Sequence, residues 1–262
     1  MAGVGQDGAV TYCIAMRLDE GLLFLSDTRT NAGIDNISTY RKLHVFSPAE
    51  DRLFVLQSAG NLATTQQVLD RIEQDLSGPE PGGLATVTGL FEAALYIGRL
   101  STSVADEHRD ALNRVGADGT ASFILGGQVG AEDPDILLVY PEGNYIRASD
   151  DLPYLQIGDT KYGKLMLDLA ALVQPDLDQA VKMAVSSMLS TARANLSVGP
   201  PYDLGLYRNG TFVLEEARLH ADSPSLTALS HAWITHLVDG AHSLPEISIV
   251  DLQREGPGPA HR

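Results

Sequence analysis

Apolar and polar positions alternate with a period of two over Thr11–Leu18 and over Gly21–Ser26, on either side of Asp19-Glu20-Gly21. Successive side chains of a strand point to opposite faces, so this pattern predicts two strands joined as a hairpin. Leu43–Ser47 and Leu53–Ser58 predict a second pair across Pro48-Ala49-Glu50-Asp51. Over Leu62–Leu76 the period changes, and Leu62, Val68, Leu69, Ile72 and Leu76 share one helical stripe. A breaker-rich loop, Ser77-Gly78-Pro79-Glu80-Pro81-Gly82-Gly83, separates it from a second helical stretch over Thr86–Asn113.

The second half repeats the order. Strands are expected at Ala121–Gln128, Ile136–Tyr140, Tyr145–Ala148 and Tyr154–Ile157, then helices at Tyr162–Leu172 and Leu177–Asn195. Strands Leu204–Tyr207 and Thr211–Leu219 flank the turn Arg208-Asn209-Gly210. A helix over Leu226–Val238 precedes a closing strand, Ile247–Leu252, and residues 253–262 read as a flexible tail with two Gly-Pro steps. Pattern alone therefore gives an α+β protein with mostly antiparallel sheets and helices to cover their outer faces.

Composition narrows the function. The 262 residues suffice for a sizeable core, and 44% are hydrophobic, as in ordinary globular proteins. A net charge of −16 opposes binding to phosphate backbones and to anionic membranes, so neither nucleic acid nor membrane is an expected partner. No apolar run has the length of a membrane span. Residues 1–10 are Gly-rich and lack the basic and apolar regions of a signal peptide, so a cytoplasmic location is expected. Cys13 is the single cysteine, lies in an apolar strand and reads as a small core residue.

Three short segments carry candidate chemistry: Thr11 opening the first strand, Asp27 within Ser26-Asp27-Thr28-Arg29-Thr30, and Lys42 within Tyr40-Arg41-Lys42-Leu43. A threonine hydroxyl is a poor nucleophile until a base stands beside it. Where threonine is the first residue of a mature chain, its own α-amine is that base. A buried lysine nearby would lower the energy of the alkoxide and the proton affinity of the amine, and a carboxylate would orient the lysine. Lys42 is the only lysine before Lys161. Taken singly, Thr11 is a β-favouring residue, Asp27 a turn cap and Lys42 a surface cation.

Two other patterns lead nowhere. Gly158-Asp159-Thr160-Lys161-Tyr162-Gly163-Lys164 has the glycine and lysine spacing of a phosphate-binding loop, but Leu165 stands where a Mg²⁺-binding hydroxyl is needed and Asp159 repels phosphate. His231 and His236 are five apart, off a common helical face. No metal or other cofactor is expected.

Read together, the three segments resemble the amino-terminal catalytic layout of the proteasome-type β subunits, within the Ntn-hydrolases. Ser58-Ala59-Gly60-Asn61 is similar to the family's turn whose glycine N–H forms an oxyanion hole, and Ser122–Gln128 to the strand ending in a glycine pair. Leu155-Gln156-Ile157-Gly158-Asp159 resembles the strand running into a Gly-Ser turn, with Asp159 in place of serine. Thr11-Tyr12-Cys13, Ser26–Gly33 and Asn195–Pro201 are similar in detail to the bacterial branch called Anbu. The resemblance covers about 11–251.

It implies a four-layer αββα sandwich over 11–252, and a threonine-type peptidase that hydrolyses peptide bonds through Thr11. Asp27 and Lys42 would tune the nucleophile and Gly60 would hold the oxyanion. Arg29 is expected to pair with carboxylates under the site. Asp159 would shuttle a proton or hold Lys42, and Asn195 and Ser197 fall where relatives keep an Asp and a Ser. Residues 1–10 would be a mis-assigned start, with Val10 the initiator, or a propeptide. The expected partners are peptide or unfolded-protein substrates and copies of the chain in a ring or open helical assembly; an unfoldase partner is not specified. Two alternatives remain open: an amidase or isopeptidase for one small amide, and a silent ring-forming scaffold.

Overall fold

The computed structural model describes residues 11–31, 37–79 and 82–248. The expected extension over 1–10, the tail over 253–262 and most of the closing strand lie outside the described residues. Within the rest of that expected strand, residues 247 and 248 are in no strand.

The strands are β1 (Tyr12–Leu18), β2 (Gly21–Asp27), β3 (Arg29–Asn31), β4 (Ile37–Thr39), β5 (Leu43–Ala49), β6 (Arg52–Gly60), β7 (Ala121–Val129), β8 (Asp135–Val139), β9 (Tyr145–Arg147), β10 (Tyr154–Gly158), β11 (Tyr202–Arg208) and β12 (Leu214–Leu219). The helices are α1 (Leu62–Ser77), α2 (Leu90–Val115), α3 (Lys164–Val173), α4 (Leu177–Ala194) and α5 (Pro224–His242). One five-stranded sheet has the order β10-β1-β2-β11-β12 and a second the order β5-β6-β7-β8-β9. Every pairing in both is antiparallel. The short β3–β4 hairpin stands apart from both sheets.

Alternation along the strands builds three apolar clusters. Tyr12, Ile14, Met16, Leu23 and Leu25 pack with Leu167, Ala180, Ala184 and Met188 of α3 and α4. Phe54, Leu56, Phe123 and Leu125 pack with Val68 and Ile72 of α1 and Ala93 and Ile97 of α2. The intervening positions, Cys13, Ala15, Leu22, Phe24, Leu53, Val55, Ile124 and Ile136, form a third cluster drawn from both large sheets. Odd and even residues of one strand thus serve different cores, which is why a one-residue slip of register is not tolerated.

Boundaries differ from expectation where local chemistry intervenes. Pro48 was expected in a turn, yet β5 runs on through Ala49 with a register shift between Phe46 and Ala49. β5 is the outer strand of its sheet, where a residue without an N–H costs no ladder bond. The second helix starts at Leu90 rather than Thr86, because residues 83–85 form a 3₁₀ turn first. The hairpin of β3 and β4 was not anticipated.

The two large sheets approach closely at Gly126. A Cβ built there would lie 2.5 Å from the Phe24 ring and 3.0 Å from the Ile136 side chain. Gly126→Ala is therefore expected to destabilise the protein by about 1–3 kcal/mol through overpacking. Combining it with Phe24→Leu should recover part of that loss; denaturant midpoints of the two singles and the double check the coupling.

Candidate active site

β1 pairs with β2 so that Cys13 faces Ser26, which brings the start of β1 to the end of β2, where Asp27 stands. The Tyr12 backbone N–H donates to Asp27 Oδ1 at 3.0 Å. Lys42, in the short link between β4 and β5, donates its Nζ to the same oxygen at 2.7 Å and to the Arg29 carbonyl at 2.7 Å. Asp27 is 0% and Lys42 5% exposed, so the pair is dry. Burial pushes the Asp27 carboxyl above its ordinary range, opposed by the Lys42 charge, the Lys42 hydrogen bond and the Tyr12 N–H.

Thr11, next to this pair in sequence, is itself buried and lines two spaces. One is a cleft of about 860 Å³ whose walls include Gly60, Asn61, Asp159, Lys161 and Asn195. The other is a recess of about 20 Å³ that reaches Lys42, Tyr40 and Thr30. Gly60, the last residue of β6, borders both. The structure thus brings Thr11, Asp27, Lys42 and Gly60 to one place.

The floor of the site is fastened by backbone. Asp159 N–H donates to the Thr11 carbonyl at 2.7 Å. Gly158 has φ +87°, and a Cβ there would lie 1.9 Å from the Thr11 carbonyl oxygen, so only glycine allows the two chains this close. The loop after α4 is held by Thr28 Oγ1 on the Pro201 carbonyl at 2.7 Å and by the Arg29 guanidinium on the Leu196 carbonyl at 2.5 Å.

Two expectations need correction. Among the described residues the Arg29 guanidinium forms no ion pair; it grips the Leu196 carbonyl and lies under Gly199, whose added Cβ would meet it at 2.5 Å. Asp159 does not hold Lys42. Its Oδ2 accepts from Asn195 Nδ2 at 2.7 Å, and Asn195 Oδ1 accepts from the Ser197 N–H at 3.0 Å. Asp159 and Asn195 on the cleft wall and Ser197 behind them in sequence therefore form one chain of contacts. Lys164, the last residue of the phosphate-loop look-alike, turns to Asp168 at 2.6 Å instead.

Sequence reading passed over Thr30 and Tyr40 on the recess wall, and Tyr12, whose N–H fixes Asp27. A backbone donor carries no residue-type signal. The Tyr12 side chain lies 2.9 Å from Ser187 Oγ, which donates to the Gly163 carbonyl and so ties β1 to the base of α3. Chemically, a hydroxyl beside a buried ammonium–carboxylate pair and a strand-end glycine suits attack on a carbonyl with charge developing on oxygen.

No family model matches the chain, and no curated protein matches it. Solved structures do. Anbu (ancestral β-subunit) from Yersinia bercovieri is 42% identical, with a TM-score of 0.84, over 91% of this chain and 100% of that one. The structure described as the helical assembly of the Anbu complex from Pseudomonas aeruginosa is 40% identical over 92% and 99% of the two chains, with a TM-score of 0.85. The Anbu (Gly-1) mutant from Hyphomicrobium sp. strain MC1 is 40% identical, with a TM-score of 0.83, over 91% and 100%. With identity at this level across the whole of those chains, and the same segments meeting at Thr11, this chain belongs to the Anbu family of proteasome-like Ntn-hydrolase relatives.

Proposed function

We propose that the chain is a threonine-type peptidase acting through Thr11 as the first residue of the mature protein, within a self-assembled homo-oligomer. Its three apolar clusters support reading the fold as a four-layer αββα sandwich. Thr11 Oγ attacks the peptide carbonyl while the α-amine takes its proton, and the Gly60 N–H receives the developing oxyanion. The amine then protonates the leaving nitrogen, and water hydrolyses the acyl ester by the reverse sequence. Lys42 stabilises the alkoxide and keeps the amine unprotonated, Asp27 orients Lys42, and Arg29, Asp159, Asn195 and Ser197 support the walls.

The observation that carries this reading is the buried Lys42–Asp27 contact at 2.7 Å on the rim shared with Thr11. Well-packed apolar residues are often as stabilising as a buried ion pair, or more so. Apolar packing could tie the two sheets as firmly, so a charged pair at this place favours a nucleophile that uses the charge over an inert scaffold. The 860 Å³ cleft suits an extended peptide better than one small amide.

Self-assembly is supported by the Pseudomonas aeruginosa relative and by α3. Leu165, Leu169 and Leu172 recur at helical spacing and are 68%, 40% and 78% exposed. Among the described residues no helix is long and apolar enough to cross a membrane, so such a stripe suits contact between copies.

Untagged protein from its native host should have an intact mass that begins at Thr11 and should gain one inhibitor mass with a peptide epoxyketone, which needs a free α-amine and hydroxyl on one residue. A chain that keeps residues 1–10 and is never labelled sinks the enzyme reading, and one that begins at Thr11 but is never labelled sinks the peptidase in favour of the amidase. Lys42→Ala should slow adduct formation by about 100- to 1000-fold. It should also cost about 3–5 kcal/mol of stability by stranding Asp27, measured by chemical denaturation.

The acid side of the rate profile should show two deprotonations. Lys42 draws the α-amine below about 7.7–8.0, and burial raises Asp27, so each group loses its active form as pH falls. The logarithm of the labelling rate should approach a slope of two at low pH and return to one in Asp27→Asn. Leu165→Glu with Leu172→Glu should shift the sedimentation profile to smaller species while far-UV circular dichroism stays unchanged.

A further inference from the structure

Tyr12 directly follows Thr11, and its side chain is fully buried in the cluster it shares with Leu167 of α3 and Ala184 and Met188 of α4. The ring serves that core, and the hydroxyl makes contacts that a phenylalanine would lack. It lies 3.1 Å from Gln156 Oε1 and 2.9 Å from Ser187 Oγ, and Ser187 Oγ lies 2.9 Å from the Gly163 carbonyl. Gln156 Nε2 in turn donates to the Thr160 carbonyl at 3.2 Å. Both ends of the segment 160–163 are therefore reached from one phenol. A Cβ built on Gly163 would lie 2.3 Å from the Tyr12 hydroxyl oxygen and 2.3 Å from Ser187 Oγ, so the segment is pressed onto this pair.

That segment is a wall of the cleft. Thr160, Lys161 and Tyr162 line it, between the end of β10 and the start of α3. The Tyr12 and Ser187 hydroxyls carry one proton each, so they cannot donate in all three of these contacts at once. The Gly163 carbonyl has a second donor in the Met166 N–H at 3.2 Å. Among the described residues Gln156 Oε1 has Tyr12 alone as its donor. An amide that loses this contact is no longer held in one orientation, and its grip on the Thr160 carbonyl goes with it. Asp159 is fastened independently, to Asn195 through its carboxylate and to the Thr11 carbonyl through its N–H.

We propose that the Tyr12 hydroxyl is a positioning group for this wall: acting through Gln156, it holds residues 160–162 in the shape that a substrate meets. The proposal rests on the peptidase reading for what the wall binds, and not for how the wall is held. A loosened wall has to be ordered each time a substrate binds, which weakens binding. The chemical step is spared, because Thr11, Asp27 and Lys42 keep contacts in which the phenol takes no part.

Two variants of the assembled protein test it. Tyr12→Phe keeps the ring and removes the hydroxyl, and Gln156→Met keeps the length of the side chain and removes the amide. In each, hydrogen–deuterium exchange over residues 160–163 should quicken at least about fivefold, the worth of one lost hydrogen bond. The KI of a peptide epoxyketone should rise about five- to tenfold while kinact stays within about twofold. The double variant should be no worse than the worse single, since both remove one route. Ser187→Ala frees the Tyr12 proton for Gln156 and should leave exchange and KI within about twofold of the unmodified protein. Unchanged exchange in Tyr12→Phe and Gln156→Met overturns the proposal, as does a fall in kinact with KI unchanged. An effect of Ser187→Ala as large as that of Tyr12→Phe overturns the route through Gln156. No adduct with the unmodified protein overturns the peptidase reading alone, because exchange still decides whether the wall is held from Tyr12.

Discussion

An ammonium group cannot be kept dry without a partner, and the placement of Lys42 against Asp27 is the constraint on which the rest of this site depends. Asp27 ends a strand of one sheet, and Lys42 leads into the first strand of the other. Joining them therefore ties the two sheets at one end. The same oxygen that accepts from Lys42 accepts from the Tyr12 N–H, so the start of the first strand is pinned to that junction. Nearby cross-links run the same way: Gln57 Nε2 donates to the Leu25 carbonyl at 3.0 Å, from the second sheet to the first. Towards the middle of the interface, the contact of Phe24 with Gly126 sets how closely the sheets can approach.

Much of this was legible in the chain. The hairpin of β1 and β2 follows from alternation, and it places the ends of Thr11–Leu18 and Gly21–Ser26 side by side without knowledge of the rest. Lys42 could be named because no other lysine competes in the first half. What could not be read were partners that depend on backbone atoms or on distant loops. Among the described residues Arg29 meets a carbonyl and no carboxylate, and loop carbonyls have no sequence signature. Asp159 found Asn195, 36 residues away, through the return of α4 to the cleft. The β3–β4 hairpin escaped notice because three residues are too few to display a period.

Electrostatics inside and outside the molecule differ. The chain as a whole carries −16, yet the recess beside Thr11 is bordered by the cation Lys42. An acidic surface repels other copies in solution, while α3 carries an exposed apolar stripe. Contact between copies has to outweigh that repulsion, which salt screens at distances beyond about 8–10 Å.

Thr11 is held from below through its own carbonyl and from the side through the residue that follows it. Neither tether involves its hydroxyl or any residue of the β3–β4 hairpin. Lys42, by contrast, rests on the Arg29 carbonyl of β3, so a shift of that hairpin would reach the buried ion pair without moving the backbone of the threonine.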